Sequence, residues 1–249
     1  MSGTESSSAS VSETGEGGSP EYLSASIRNL YDRLLEFYGP QSWWPSNTEL
    51  EMILGAVLVQ NTSWINARKA LDALSDAGIL TPSALIAVQE IELAGLIRAS
   101  RYFNGKARTL KAFAQMLKDE TDGDLEILLA KPLTELRPLL LSTHGFGQET
   151  ADAICLYAAR YPTFVIDTYT RRILSRLGFV ADNLPYQQLQ KIFFKALPKY
   201  VSIYAEYHAL FVVHAKRMCT KAPICHACPL LDLCPKGKME TGLMVSMVN

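Results

Sequence analysis

Beyond residue 20 the apolar positions recur every three or four residues almost without a break. In YLSASIRNLYDRLLEFYG they fall at Leu23, Ile27, Leu30, Leu34 and Tyr38, the spacing of one helix face. TELEMILGAVLVQ and SWINARKALDALSDAG follow in the same period, the second stopped by Gly78. Shorter helices are predicted near 82–88 and 90–98, and a strongly amphipathic one over KARTLKAFAQMLKDE. PLTELRPLLLSTH, QETADAICLYAARY, TYTRRILSRLG, PYQQLQKIFFKAL and YVSIYAEYHALFVVHAKRM complete the series. Pro132 and Pro185 stand at helix starts, where a missing N–H costs nothing. No run alternates with the period of two that a half-buried strand needs. The pattern therefore predicts an all-α chain. Residues 1–20, mostly Ser, Gly, Thr and Glu, have little to bury and read as a disordered tail. Residues 238–249 read as a short Met-rich C-terminal tail.

Composition adds bounds rather than a function. The 249 residues are 48% hydrophobic and 20% charged, with a net charge of −1, which is ordinary for a soluble globular protein. Residues 1–20 hold Glu5, Glu13 and Glu16 and no Lys or Arg, so the remainder is only mildly basic, at +2. No basic start leads into an apolar run, so no secretory signal is expected. No stretch approaches the ~18 uninterrupted apolar residues of a membrane span. A cytoplasmic location follows as an expectation, associated with the nucleoid if the source is bacterial.

Three motifs stand out of the helical background. HGFGQETADA, residues 144–153, joins two helices through Gly145-Phe146-Gly147. Two glycines permit positive φ and close backbone approach, and the following helix opens with free N–H groups that suit a phosphate. Thr150 adds a hydroxyl there; the plainer reading is an αα-hairpin with glycine caps. In YPTFVIDTYTRRIL, Asp167 follows an apolar run and precedes a helical pattern. Asp is a favoured N-cap, and a helix N-terminus also keeps a carboxylate ionised. Finally, CTKAPICHACPLLDLC places Cys219, Cys225, Cys228 and Cys234 in a Cys-x5-Cys-x2-Cys-x5-Cys pattern. Four thiolates this close suit zinc or an iron–sulfur cluster, and spacing alone does not choose. His226 lies inside the loop as a bystander, and Cys155, alone on its helix, reads as a core residue.

Taken together, the glycine hairpin, the Asp after an apolar run and the four cysteines resemble the endonuclease III group of helix-hairpin-helix DNA glycosylases, from about residue 40 to 234. The resemblance implies a two-lobed all-α fold. A six-helix barrel over 41–161 would end in the hairpin. Residues 21–40 with 162–237 would form a second domain closed by a C-terminal [4Fe–4S] loop, zinc being the alternative. The first cysteine gap is one residue shorter than in the best-known members. The implied partner is double-stranded DNA containing a damaged base, bound by a monomer with that base flipped out. Lys216, Arg217, Lys221 and Lys236 would approach the backbone.

By the same resemblance Asp167 is the catalytic carboxylate, stabilising positive charge on the sugar and activating water. Gly145, Gly147 and Thr150 become DNA contacts. Gln60, in VLVQNTSW, and Tyr102, in RASRYFNGKA with Arg101 beside it, become the side chains that fill the gap left by the flipped base. Many relatives carry a lysine two residues after the second hairpin glycine, whose amine attacks the sugar. Here that position is Glu149, which cannot form a Schiff base, and Lys131 and Lys191 are too distant in sequence to replace it. A monofunctional glycosylase is therefore expected. The WWP of Trp43 and Trp44, with Trp64 after QNTS, is similar to the 3-methyladenine branch, whose aromatics stack on the base; a cationic alkylated purine would suit such π-faces. The plain reading of the tryptophans is core. The alternatives are a bifunctional glycosylase/AP lyase acting on oxidised pyrimidines and a non-catalytic lesion-binding protein.

Overall fold

The computed structural model of the protein describes residues 19–243. Every regular element among them is helical: α1 Pro20–Tyr38, α2 Glu49–Leu58, α3 Trp64–Asp76, α4 Pro82–Ala87, α5 Glu90–Leu96, α6 Phe103–Thr121, α7 Leu125–Leu129, α8 Leu133–Ser142, α9 Gln148–Ala153, α10 Thr168–Arg176, α11 Tyr186–Ala196, α12 Val201–Arg217 and α13 Pro235–Glu240. The all-α reading holds. Almost all of the N-terminal tail lies outside the described residues, and Pro20 already opens α1. Of the C-terminal tail, 244–249 lie outside them, while 238–240 form the end of α13. The helix read over 148–161 is α-helical only to Ala153 and widens into a π turn over Ile154–Ala158.

Contacts divide the chain into two units. The first holds Tyr38–Asp167 and Pro198–Leu210 and contains the hairpin. The second holds Thr168–Leu197 with the segments before Tyr38 and after Leu210, and contains the cysteine loop.

The hairpin unit is organised on α2. Thr48 caps it, accepting from Glu51 N, while the Glu51 carboxylate accepts from Asn47 N and from Arg68. Sequence TELE thus makes a variant of the capping box. Every residue from Leu50 to Leu58 is buried, each large apolar side chain contributing about 1.5–3 kcal/mol of transfer free energy. Gly55 lets the Trp64 ring lie against the α2 backbone; a Cβ there would stand 3.4 Å from that ring. α6 buries Ala107, Leu110, Phe113, Ala114 and Leu117, one stripe at helical spacing.

Candidate functional site

The hairpin is α8, a turn through Thr143–Gly147, and α9. Phe146 anchors the turn, buried and stacked on Phe113 with centroids 5.9 Å apart. Only one of the two glycines needs a glycine conformation. Gly145 has φ +84°, and a Cβ there would collide with the Thr109 side chain. Gly147 has φ −95° and would place a Cβ in open space. Nothing inside the protein requires Gly147 to lack a side chain, so what its smallness leaves clear is the outer face of the turn. Thr150 is buried, and its hydroxyl accepts from Gln60 Nε2 at 2.9 Å. The structure thus brings two residues nominated for separate DNA contacts into contact with each other.

Asp167 is carried by the extended run that follows the π turn. A buried network pins its start: Arg137 donates through Nε and Nη2 to Asp152 at 2.7 and 3.0 Å, and Thr163 donates to Asp152 at 3.1 Å. Phe164 sits against Tyr204 and Tyr207 of α12, centroids 5.5 and 5.8 Å away. Phe164, Val165 and Ile166 are all buried. The run therefore has little freedom, and the 8%-exposed Asp167 is delivered to a fixed place.

There it meets residues that the sequence reading missed. His208 of α12 lies with Nε2 3.6 Å from Asp167 Oδ2. Its Nδ1 is 2.7 Å from the Tyr157 hydroxyl, which is also 3.3 Å from the Ala205 carbonyl. The phenol and Nδ1 share one hydrogen bond, and Nε2 is the ring atom turned toward the carboxylate. The 3.6 Å separation exceeds hydrogen-bond distance. Burial keeps the Tyr157 phenol protonated, raising its pKa well above the usual value. The available signal in sequence was His208 in the apolar pattern of α12 and Tyr157 in that of the helix after the hairpin, which a packing reading absorbs.

Glu149 stands in the first turn of α9, at the rim of this group. Burial of its carboxyl and the negative charge of Asp167 push its pKa up to about 7, while His208 pulls it down. Water still reaches the side chain, which works against the rise.

The three tryptophans do come together. Trp44 lies 5.6 Å from Trp64 and 5.7 Å from Trp43, and Trp43 lies 6.4 Å from Trp64. Trp44 also packs on Tyr157 at 5.2 Å, so one phenol joins the aromatic group to the Asp167 group. Glu206 of α12 holds the irregular segment that carries the pair, accepting from the backbone N–H groups of Gln41 and Ser42. The indole N–H groups of Trp43 and Trp44 are buried without an acceptor among the described residues. Trp43, Trp44, Asn47, Tyr157 and Arg160 line a recess of about 400 Å³.

Tyr102 is 72% exposed at the tip of its loop, with φ +45° after Arg101 at φ +59°. Asn61, next to the half-buried Gln60, has φ +53°. Non-glycine residues held in this region store strain and favour functional loops.

In the cysteine unit, Cys219, Cys225, Cys228 and Cys234 line one recess with Ile173, Leu177 and other apolar residues. Among the described residues no three metal-binding side chains converge tightly enough for a single ion. Burial and the neighbouring thiols raise Cys225, Cys228 and Cys234, Cys228 to about 11. Among the groups facing the sulfurs are Gly237 N at 3.2 Å from Cys234 Sγ, Arg176 Nη1 at 3.3 Å from Cys219 Sγ and His214 Nε2 at 3.9 Å from Cys228 Sγ. Arg172 braces the loop through the Cys219 and Ala215 carbonyls. Lys216, Arg217 and Lys221 are exposed, as is His226, and Lys236 pairs with Glu240 at 2.8 Å. Cys155 is fully buried in the other unit, its thiol pushed up to about 12 by burial.

Residues 54–199 match the model of the HhH-GPD superfamily base excision DNA repair proteins. A protein of Methanocaldococcus jannaschii, named provisionally as a DNA repair glycosylase, is 41% identical over 84% of this chain and 95% of its own length. Endonuclease III of Sulfolobus acidocaldarius is 32% identical over 73% of this chain and 79% of its own. Among solved structures, a trapped endonuclease III–DNA covalent intermediate superposes with a TM-score of 0.76 at 24% identity, over 88% of this chain and 98% of that one. The 3-methyladenine DNA glycosylase of H. pylori bound to 1,N6-ethenoadenine gives 0.67 at 27% identity, over 80% and 97%. No described helix is long and apolar enough to cross a membrane.

Proposed function

The chain belongs to the HhH-GPD superfamily of base excision DNA repair proteins and is a DNA glycosylase of that family, and from that premise we propose that it is monofunctional: it hydrolyses the N-glycosidic bond of a flipped alkylated purine in double-stranded DNA and leaves the abasic site intact. The observation that carries this reading is the pairing of Glu149 with Asp167 at the mouth of the site, where a lyase would need an amine. Lys106, the buried lysine whose pKa falls to about 8, is no substitute nucleophile. Its Nζ is committed to the Leu58 and Ser100 carbonyls.

In this reading Asp167 stabilises the oxocarbenium-like sugar and orients water. His208 would orient Asp167 from 3.6 Å away, its ring held in place by the Tyr157 hydroxyl. A cationic purine has a weakened glycosidic bond, so one carboxylate suffices. The faces of Trp43, Trp44, Trp64 and Tyr157 suit such a base. The H. pylori enzyme, whose structure holds an alkylated-type adenine, supports the same class. Gly145, Gly147, Gln60 and Tyr102 would contact DNA, with the protein acting as a monomer.

The four cysteines would hold a [4Fe–4S] cluster. Thiols that ring one apolar recess without converging on a point suit a polynuclear centre better than a tetrahedral zinc. When bound, such a cluster would cross-link the loop; Arg172 and Arg176 hold the backbone around it.

The test is a panel of duplexes carrying 3-methyladenine, 1,N6-ethenoadenine, an oxidised pyrimidine or uracil, analysed with and without alkali. Cleavage of the alkylated-purine duplexes only after alkali is the expected result. Strand cleavage without alkali, or a borohydride-trapped adduct, overturns monofunctional chemistry. Binding without excision would make the chain a recognition protein.

A further inference from the structure

Lys106 stands on the buried side of α6 and is 5% exposed. Its Nζ donates to the Leu58 carbonyl at 2.8 Å and to the Ser100 carbonyl at 2.6 Å. Among the described residues it forms no ion pair with a carboxylate. An ammonium taken out of water without a counter-charge is costly. A methionine would fill similar space without that cost, so packing alone does not account for the charge.

What offsets it is the position of the two acceptors. Leu58 is the last residue of α2, and Ser100 the last of the 3-10 turn Arg98–Ser100. Carbonyls at helical C-termini carry the negative end of the backbone dipole and lack an intrahelical donor. One ammonium therefore serves both ends at once.

These two ends are also the roots of the two loops nominated to enter DNA. Gln60 and the left-handed Asn61 follow Leu58 within three residues; the left-handed Arg101 and Tyr102 follow Ser100 directly. A non-glycine residue at positive φ persists only where its surroundings hold it. Gln60 is tied in turn to Thr150 on α9. A single lysine thus joins one loop root to the other, and one amide joins the first loop to the hairpin.

We propose that Lys106 is a positioning residue for duplex opening: its ammonium clamps the Gln60 loop and the Arg101–Tyr102 loop at a fixed separation, so that both enter the helix together where a base leaves it. This rests on the reading that Gln60 and Tyr102 fill that gap. The clamp acts on the DNA opening step and leaves the Asp167 group untouched.

The test uses a duplex with a tetrahydrofuran abasic-site analogue beside 2-aminopurine, whose emission reports local unstacking without depending on which lesion is excised. Lys106→Met is expected to reduce preference for this duplex over an undamaged one on the order of 10- to 100-fold and to abolish the emission change. Binding to the same analogue in single-stranded DNA, where there is no gap to fill, is expected to stay the same. Lys106→Arg, which keeps a charged donor, is expected to restore most of the response. An unchanged duplex preference and emission in Lys106→Met overturns the clamp, as does an equal loss on single strands. If Tyr102→Ala and Gln60→Ala leave the emission change intact, the insertion reading fails instead. Should Lys106→Met not fold, amide hydrogen exchange of the wild-type protein decides. Joint protection of both loops on binding the analogue duplex supports the clamp; protection of one alone overturns it.

Discussion

The surroundings of Asp167 and the cysteine loop both keep reactive polar groups in largely apolar settings, and they resolve the problem in opposite ways. Around Asp167 the protein supplies its own partners. Tyr157 hydrogen-bonds His208, His208 faces the carboxylate, Arg137 neutralises the buried Asp152 that anchors the run, and Thr163 donates a hydrogen bond to it. In the cysteine loop the thiols raise one another and are raised by burial, Cys228 to about 11, with backbone amides, the Arg176 guanidinium and the His214 ring directed at sulfur. Clustered thiols of raised pKa are stabilised as thiolates by a metal centre. The first region draws its partners from protein side chains on three helical segments, whereas in the second the partners of sulfur are mostly backbone amides and single basic side chains.

The strongest way to break this contrast is at Asp167. Asp167→Asn keeps shape and removes the charge, so single-turnover excision is expected to fall on the order of 10³-fold or more, with duplex binding within a few-fold of wild type. Residual excision near wild-type rate would mean that the carboxylate is only a helix cap. The matching change in the other region is Cys225→Ser, at the most buried of the four thiols. Iron content and absorption near ~400 nm are expected to be lost, with the melting transition weakened because metal binding and folding are coupled. A colourless wild-type protein carrying zinc would instead remove the cluster from the comparison.

The two regions also differed in how far the sequence exposed them. The helical period placed the long helices because each buries a continuous stripe, such as Ala107 to Leu117 on α6. It missed α7 and α13, which at five and six residues are too short to show a period. The four cysteines are contiguous in sequence, and so were visible as a group. The Asp167 group is assembled from two separate segments, 149–167 and α12. Asp167 and Glu149 were legible through their motifs, whereas His208 and Tyr157 sit in apolar helices where a polar residue reads as packing. Lys106 was hidden in the same way, inside an amphipathic stripe. In the hairpin the two glycines look equivalent in sequence; the backbone separates them, one fixed by Thr109 and one where a Cβ would meet no other described residue.

His208 offers a finer test of the self-sufficiency of the first region. A glutamine amide can place a donor where Nε2 lies, while an asparagine amide reaches only the Nδ1 position. His208→Asn is therefore expected to lower kcat about 10- to 100-fold with little change in KM, and His208→Gln to retain most of it. Equal losses in both variants would reduce His208 to a packing residue.

The smallest expected effect concerns the one member of the first region that is not fully provided for. Glu149 has its pKa raised from 4.5 to about 7 by burial and by Asp167, so between these values the folded protein binds more of this proton than the unfolded chain does. The stabilising contribution is intact below about pH 4.5 and is lost as pH rises through about 7. Glu149→Gln removes that titration. Its melting temperature should match wild type near pH 4.5 and exceed it near pH 8 by about 1–3 °C, the modest size reflecting water's access to the side chain. A difference that stays constant across that range would mean that Glu149 does not feel Asp167, and that the acid at the lyase position is an ordinary first-turn helix residue rather than part of the site.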